Sequence, residues 1–162
     1  MRAFARHGAA TLSSDEVVHR LIAEDAGVRG ALVERFGTTR RGRIAEIVFE
    51  DPDELAWLEG LLHPPVRREY RSWLEGIEED VAAVEVPLLF ETGAEELFDF
   101  VVVVTAPPDV RRARTRVELD RRSARLMADD EKVERANFAY VNDGSLDDLD
   151  AFVVSVLERV RI

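Results

Sequence analysis

Three polar clusters in this chain have the residue types and spacing to handle a phosphorylated ligand. Ser13-Ser14-Asp15 follows a short apolar run, Ala9 to Leu12. Between Arg111 and Arg125 lie seven arginines (Arg111, Arg112, Arg114, Arg116, Arg121, Arg122, Arg125) against only Glu118 and Asp120. Asn142-Asp143-Gly144 closes a third stretch, Phe138 to Asn142. Guanidinium groups match phosphate oxygens in a bidentate fork. Acids gathered beside them suit a phosphorylated ligand handled by arginine and a metal ion. Each cluster also has a plainer reading. Asp15 falls where a first-turn acid is favoured by the helix dipole. The arginines could line a helix surface, although near neighbours of one sign repel. Asn142-Asp143-Gly144 is an ordinary turn sequence and Ser145 an ordinary helix cap. His63 before Pro64 and Pro65 could simply end a helix.

These residues must be positioned by elements, and the hydrophobic pattern predicts which. VAAVEV (Val81 to Val86) and FVVVVTA (Phe100 to Ala106) are short, β-branched and nearly continuous, as in parallel strands buried on both faces. Ala9 to Leu12 and Phe138 to Asn142 are weaker strand candidates. SSDEVVHRLIAED has capping-box spacing from Ser13 to Glu16. DPDELAWLEGLLHP begins with a capping Asp and a first-turn Pro, with Leu55, Leu58, Leu61 and Leu62 on one face. Trp57, Tyr70 and Trp73 read as packing for this helical stretch. SLDDLDAFVVSVLERV closes the chain as an amphipathic helix. The order predicts an α/β fold: a single domain over residues 1–162, with a helical insertion over about 14–76. Ligands of such sheets bind at the carboxyl ends of the strands. Those ends are Ser13 to Asp15, Pro87 to Glu91 (with Leu88), Thr105 with Pro107, and Asn142 to Gly144.

Composition bounds the partners. With 33 Asp+Glu against 22 Lys+Arg and a net charge of −11, the chain is no general binder of nucleic acid or anionic membranes. A basic island within it fits a small anion. There is no cysteine, which excludes disulfides and thiolate chemistry. No apolar run is long enough to span a membrane and no signal-peptide core is present, so the cytoplasm is expected. His7, His19 and His63 are too scattered for a metal site, and no Ser/His/Asp arrangement stands out.

In chain order, LSSDEVVHRL, LVERFG, RIAEIVF, LEGLLHPPV, VEVPLLFETG with FDFVVVVTAPPDVRRAR, and EKVERANFAYVNDGS resemble the bacterial dephospho-coenzyme A kinase family. The resemblance implies a three-layer parallel sheet of the P-loop kinase type with a helical substrate-binding region. It also implies transfer of the γ-phosphoryl of ATP, with Mg²⁺, to the ribose 3′-hydroxyl of dephospho-coenzyme A. By that resemblance Asp15 is the base, and Arg114 grips the nucleotide phosphates. Arg121, Arg122 and Arg125 belong to an arginine-rich lid over about 111–135, and Asn142 and Gly144 lie against the adenine. Arg41, His63, Pro87 and Leu88 fall in the substrate half.

The family's G-x-x-x-x-G-K-[ST] loop does not occur in these residues: Lys132 is the one lysine, and it follows Glu131. MRAFARHGA resembles the helix after that loop, so the chain is expected to lack a first strand and loop of about 15–20 residues, the usual size of that motif. A parallel sheet without a central strand would be marginally stable or self-associating. Leu126, Asn137 and Arg40 also depart from the family pattern, and the lid is short. Two other readings therefore stay open: a non-catalytic paralogue that binds coenzyme A or a nucleotide, and a different P-loop small-molecule kinase. The HPP and VPLLFETG segments speak against the latter.

Overall fold

A computed structural model describes residues 1–114 and 127–161, the Arg114 side chain excepted. Where the sequence reads as one domain, the contacts gather into two compact units: Ala10–Glu85, and Met1–Ala9 together with Val86–Ile162.

The first unit opens with β1 (Ala10–Ser13) and closes with β2 (Ala82–Glu85), which pair in parallel from Ala10↔Ala82 to Ser13↔Glu85. Between them run α2 (Ser14–Glu24), α3 (Ala26–Phe36), α4 (Arg41–Glu50) and α5 (Pro52–Glu75). A parallel pair needs such a crossover, because no tight turn can join its strands. The helices bury Ile22, Val28, Leu32, Ile44, Val48 and Leu62 against one another, with Leu55, Leu58 and Leu61 of the predicted apolar face packed alongside. Trp57 meets Phe36 edge-on at 5.3 Å. Asp51 caps α5 by accepting from the Asp53 and Glu54 amides, as the sequence predicts. Asp25 caps α3, and Gly37 closes it at φ +68°, a left-handed conformation that glycine adopts without strain.

Three local expectations fail here. The Ser13–Glu16 capping box does not form: Ser13 ends β1 in register with Glu85, and its hydroxyl makes no cap bond. Nor does His63-Pro64-Pro65 end a helix, because α5 runs through both prolines for 24 residues. The prolines remove the amides that would serve the Gly60 and Leu61 carbonyls. Burial of Leu62 and Pro65 carries the helix across the break, an instance of packing overriding propensity. Lastly, β2 has no buried residue. Its side chains are thus less covered than the continuous apolar run predicts.

The second unit holds α1 (Arg2–Arg6), a 3₁₀ turn (Ala94–Leu97), β3 (Val102–Thr105), α6 (Pro108–Arg114), α7 (Asp129–Arg135), β4 (Phe138–Val141) and α8 (Leu146–Val160). β3 and β4 pair in parallel from Val102↔Phe138 to Thr105↔Val141. Val153, Val156 and Leu157 of α8 are buried, and Tyr140 stacks on Phe152 at 4.8 Å. α1 is fastened to α8 through Asp150, which takes Arg6 and His7, while Arg161 donates to the His7 carbonyl at 2.7 Å. Val104 and Val141 are half-exposed, the second case in which strand burial falls short of the sequence pattern.

Candidate active site

In the first unit the parallel strands end at Ser13 and Glu85, and α2 begins at the next residue. Ser14 is buried and donates its hydroxyl proton to the Glu85 carbonyl at 2.5 Å. The Tyr70 hydroxyl of α5 then donates to Ser14 Oγ. One serine thus ties together the end of β2, the start of α2 and the C-terminal part of α5. Asp15, next in sequence, is exposed at the carboxyl end of β1 and has no hydrogen-bond partner among the described residues. Burial raises the Tyr70 hydroxyl above its ordinary pKa, the Ser14 bond opposes that, and the charge of Asp15 adds to the rise. Tyr70, expected from sequence to be packing alone, is therefore within electrostatic reach of Asp15. Nothing local marks it, because its partner lies 56 positions away.

Arg41 opens α4, where the helix dipole disfavours a cation, and makes no ion pair among the described residues. His63 lies on the exposed side of α5. With Gly60, Pro64, Arg67, Arg68 and Arg71 it lines an open cleft of about 480 Å³.

In the second unit, a cleft of about 490 Å³ lies at the carboxyl ends of β3 and β4, walled by Pro107, Pro108, Val133 and Val141. Arg111 crosses it to Asp129 at 2.7 Å. The Asn142 amide donates to the Thr105 carbonyl at 2.8 Å, which puts Asn142 at this rim. A Cβ at Gly144 would stand 2.7 Å from Asp148 Oδ2, so a side chain there would displace that carboxylate. Asp148 is held in a capping box with Ser145, whose side-chain and backbone hydrogen bonds lower its pKa. Pro87 and Leu88 are exposed in the turn after β2. Asn137, which departs from the resembled pattern, accepts from the Val101 amide at 2.7 Å. That acceptor role is one an amide oxygen fills as well as a carboxylate.

Sequence reasoning also missed a partly buried pair. Lys132 Nζ meets Glu91 Oε1 at 2.7 Å with both side chains largely covered. Burial pushes the Glu91 carboxyl up, but hydrogen bonds from Lys132, its own amide and the Met127 amide outweigh this, and the net shift is down. Arg121, Arg122 and Arg125 lie outside the described residues, as does the Arg114 side chain. No cluster of three or more His, Asp or Glu arranged to hold a metal occurs among the described residues.

A family model described as dephospho-CoA kinase matches residues 1–148. The chain belongs to the dephospho-CoA kinase family. A dephospho-CoA kinase of Rhodopseudomonas palustris is 36% identical over 96% of this chain and 85% of its own length. One from Brucella melitensis is 34% identical over 95% and 84%. Among solved structures, a Thermus thermophilus protein superimposes with a TM-score of 0.83 at 32% identity, covering 98% of this chain and 88% of its own. A dephospho-CoA kinase from Campylobacter jejuni gives 0.66 at 25% identity, over 99% and 89%. The chain is thus of the P-loop kinase fold class, and its family is one of phosphotransferases. Of the residues singled out in the sequence, the first unit carries Asp15, Arg41 and His63, and the second carries Pro87, Leu88, Arg114, Asn142 and Gly144. No helix among the described residues is long and apolar enough to cross a membrane.

Proposed function

We propose that this chain transfers the γ-phosphoryl group of ATP to the ribose 3′-hydroxyl of dephospho-CoA, giving coenzyme A and ADP in the cytoplasm. The observation that carries this reading is the position of Asp15: an exposed, unpartnered carboxylate at the carboxyl end of a parallel strand, beside the buried Ser14 tether. Asp15 orients the 3′-hydroxyl and takes its proton as the oxygen bonds to the γ-phosphorus and the bond to the bridging oxygen of ADP breaks. Arg114, Arg121, Arg122 and Arg125 offset charge on the phosphoryl groups with planar guanidinium forks. Asn142 and Gly144 meet the adenine at the rim of the cleft between β3 and β4, whose apolar walls and volume suit a nucleotide. Arg41, His63, Pro87 and Leu88 contact dephospho-CoA.

Mg²⁺ arriving with ATP would neutralise phosphate charge. Among the described residues no group of three or more His, Asp or Glu is placed to hold that ion.

A second reading has its own support. Leu126 and Asn137 depart from the resembled family pattern, which favours a protein that holds coenzyme A or a nucleotide without transferring phosphate. Incubation with ATP and dephospho-CoA, with products read by mass, separates the two. Coenzyme A and ADP in equal amounts support the kinase. Saturable dephospho-CoA binding with no coenzyme A formed supports the binding protein.

A further inference from the structure

Several of the arginines in the described helices have acidic partners: Arg20 with Glu69, Arg35 with Glu54, Arg43 with Glu46, Arg111 with Asp129 and Arg135 with Glu95. Arg29 donates to helix carbonyls. The row on α5 differs. Arg67, Arg68 and Arg71 are exposed and make no ion pair or hydrogen bond among the described residues, in a chain with 33 acidic side chains. Arg67 and Arg71 are four residues apart and His63 precedes Arg67 by four, so the three share one face of the helix. Like charges at that spacing repel, and no ion pair among the described residues offsets them. They instead line an open cleft with Gly60, which has no Cβ to fill it and no neighbour within 4 Å of where a Cβ would stand.

We infer that this cleft is an anion site built for a diphosphate, with Arg67 and Arg71 as its principal ligands and His63 as a further donor. The inference rests on the proposed function for the identity of the ligand: the 5′-diphosphate of dephospho-CoA. Its position agrees with that ligand. Tyr70, whose hydroxyl is bonded to Ser14 beside Asp15, follows Arg67 by three residues on α5, so the two lie on neighbouring positions of the helix surface. In dephospho-CoA the reacting 3′-hydroxyl and the 5′-diphosphate sit on the same ribose. Gripping the diphosphate along α5 would therefore hold the hydroxyl near the start of α2. Arginine suits the task because its fork engages two phosphate oxygens at once.

The test is calorimetric titration of the protein with dephospho-CoA, with inorganic pyrophosphate and with adenosine. Wild type is compared with R67Q/R71Q and R67K/R71K, whose exposed side chains leave the core untouched. Expected is a loss of about tenfold or more in affinity for both phosphorylated ligands in R67Q/R71Q, as two charge-assisted contacts are removed. R67K/R71K should fall between, and wild-type binding should weaken with added salt. Adenosine affinity should not change. Pyrophosphate binding lost in R67Q/R71Q, with no dephospho-CoA binding even in wild type, would uphold the anion site and sink the proposed substrate. Equal pyrophosphate affinity in wild type and R67Q/R71Q, or no pyrophosphate binding at all, would overturn the inference.

Discussion

Ser14 is the one polar side chain among the buried residues described, and both of its bonds reach across the first unit. Replacing it with alanine leaves the Glu85 carbonyl and the Tyr70 hydroxyl without their partner. An unsatisfied buried polar group costs on the order of 1–3 kcal/mol. S14A is therefore expected to lower the unfolding free energy by about that much, measured by urea titration. Y70F removes only one donor and should cost less than S14A. Equal stability of S14A and wild type would mean that the tether does not hold α2. The role of Asp15 depends on this tether, because a base acts only where its geometry is fixed. At Gly144, by contrast, a side chain would displace the Asp148 carboxylate.

At the scale of elements, the Glu91–Lys132 pair fastens the turn after β2 to α7 within the second unit. The Glu91 carboxyl is held below its ordinary value of 4.5. A depressed carboxyl contributes stability that is present above the unfolded-state pKa and is lost as pH falls through the lower folded value. Stability of wild type should therefore decline below about pH 4.5, and K132M should flatten that limb while lowering stability at neutral pH. Unfolding midpoints across pH for both proteins check this. An acid limb unchanged in K132M would contradict it. Element type and order were largely legible in the sequence, since periodicity marks α2, α5 and α8, and β-branched runs mark β2 and β3. What the sequence could not convey was contact at a distance. Ser13 has the spacing of a cap but is claimed by strand pairing, and Pro64-Pro65 has the form of a stop but is overridden by burial of Leu62 and Pro65. Asp15 could be singled out from its strand-end position, whereas Tyr70 and the unpaired state of Arg67 and Arg71 emerge only from the fold.

For the whole molecule, two features pull against each other. A net charge of −11 disfavours association between copies. Two-stranded sheets with half-exposed Val104 and Val141 favour it, since strand edges and apolar surface invite pairing. We expect the edges to prevail when salt screens the charge. Sedimentation at rising protein concentration should show larger species at high salt than at low salt. A monomer at every salt and concentration would run against that expectation. Of the residues proposed to contact dephospho-CoA, Asp15, Arg41 and His63 belong to the first unit, whereas Pro87 and Leu88 belong to the second with the arginine-rich region.

The central claim is that Asp15 serves the chemistry rather than the fold or the grip on substrate. The most direct measurement compares D15N with wild type in two readouts at once: the rate of coenzyme A formation and the affinity for dephospho-CoA. The account predicts a fall in rate of about 10²–10⁴, the usual worth of a positioned general base, with affinity changed no more than a few-fold. A D15N protein that turns over at the wild-type rate, or that loses binding in proportion to rate, would contradict it.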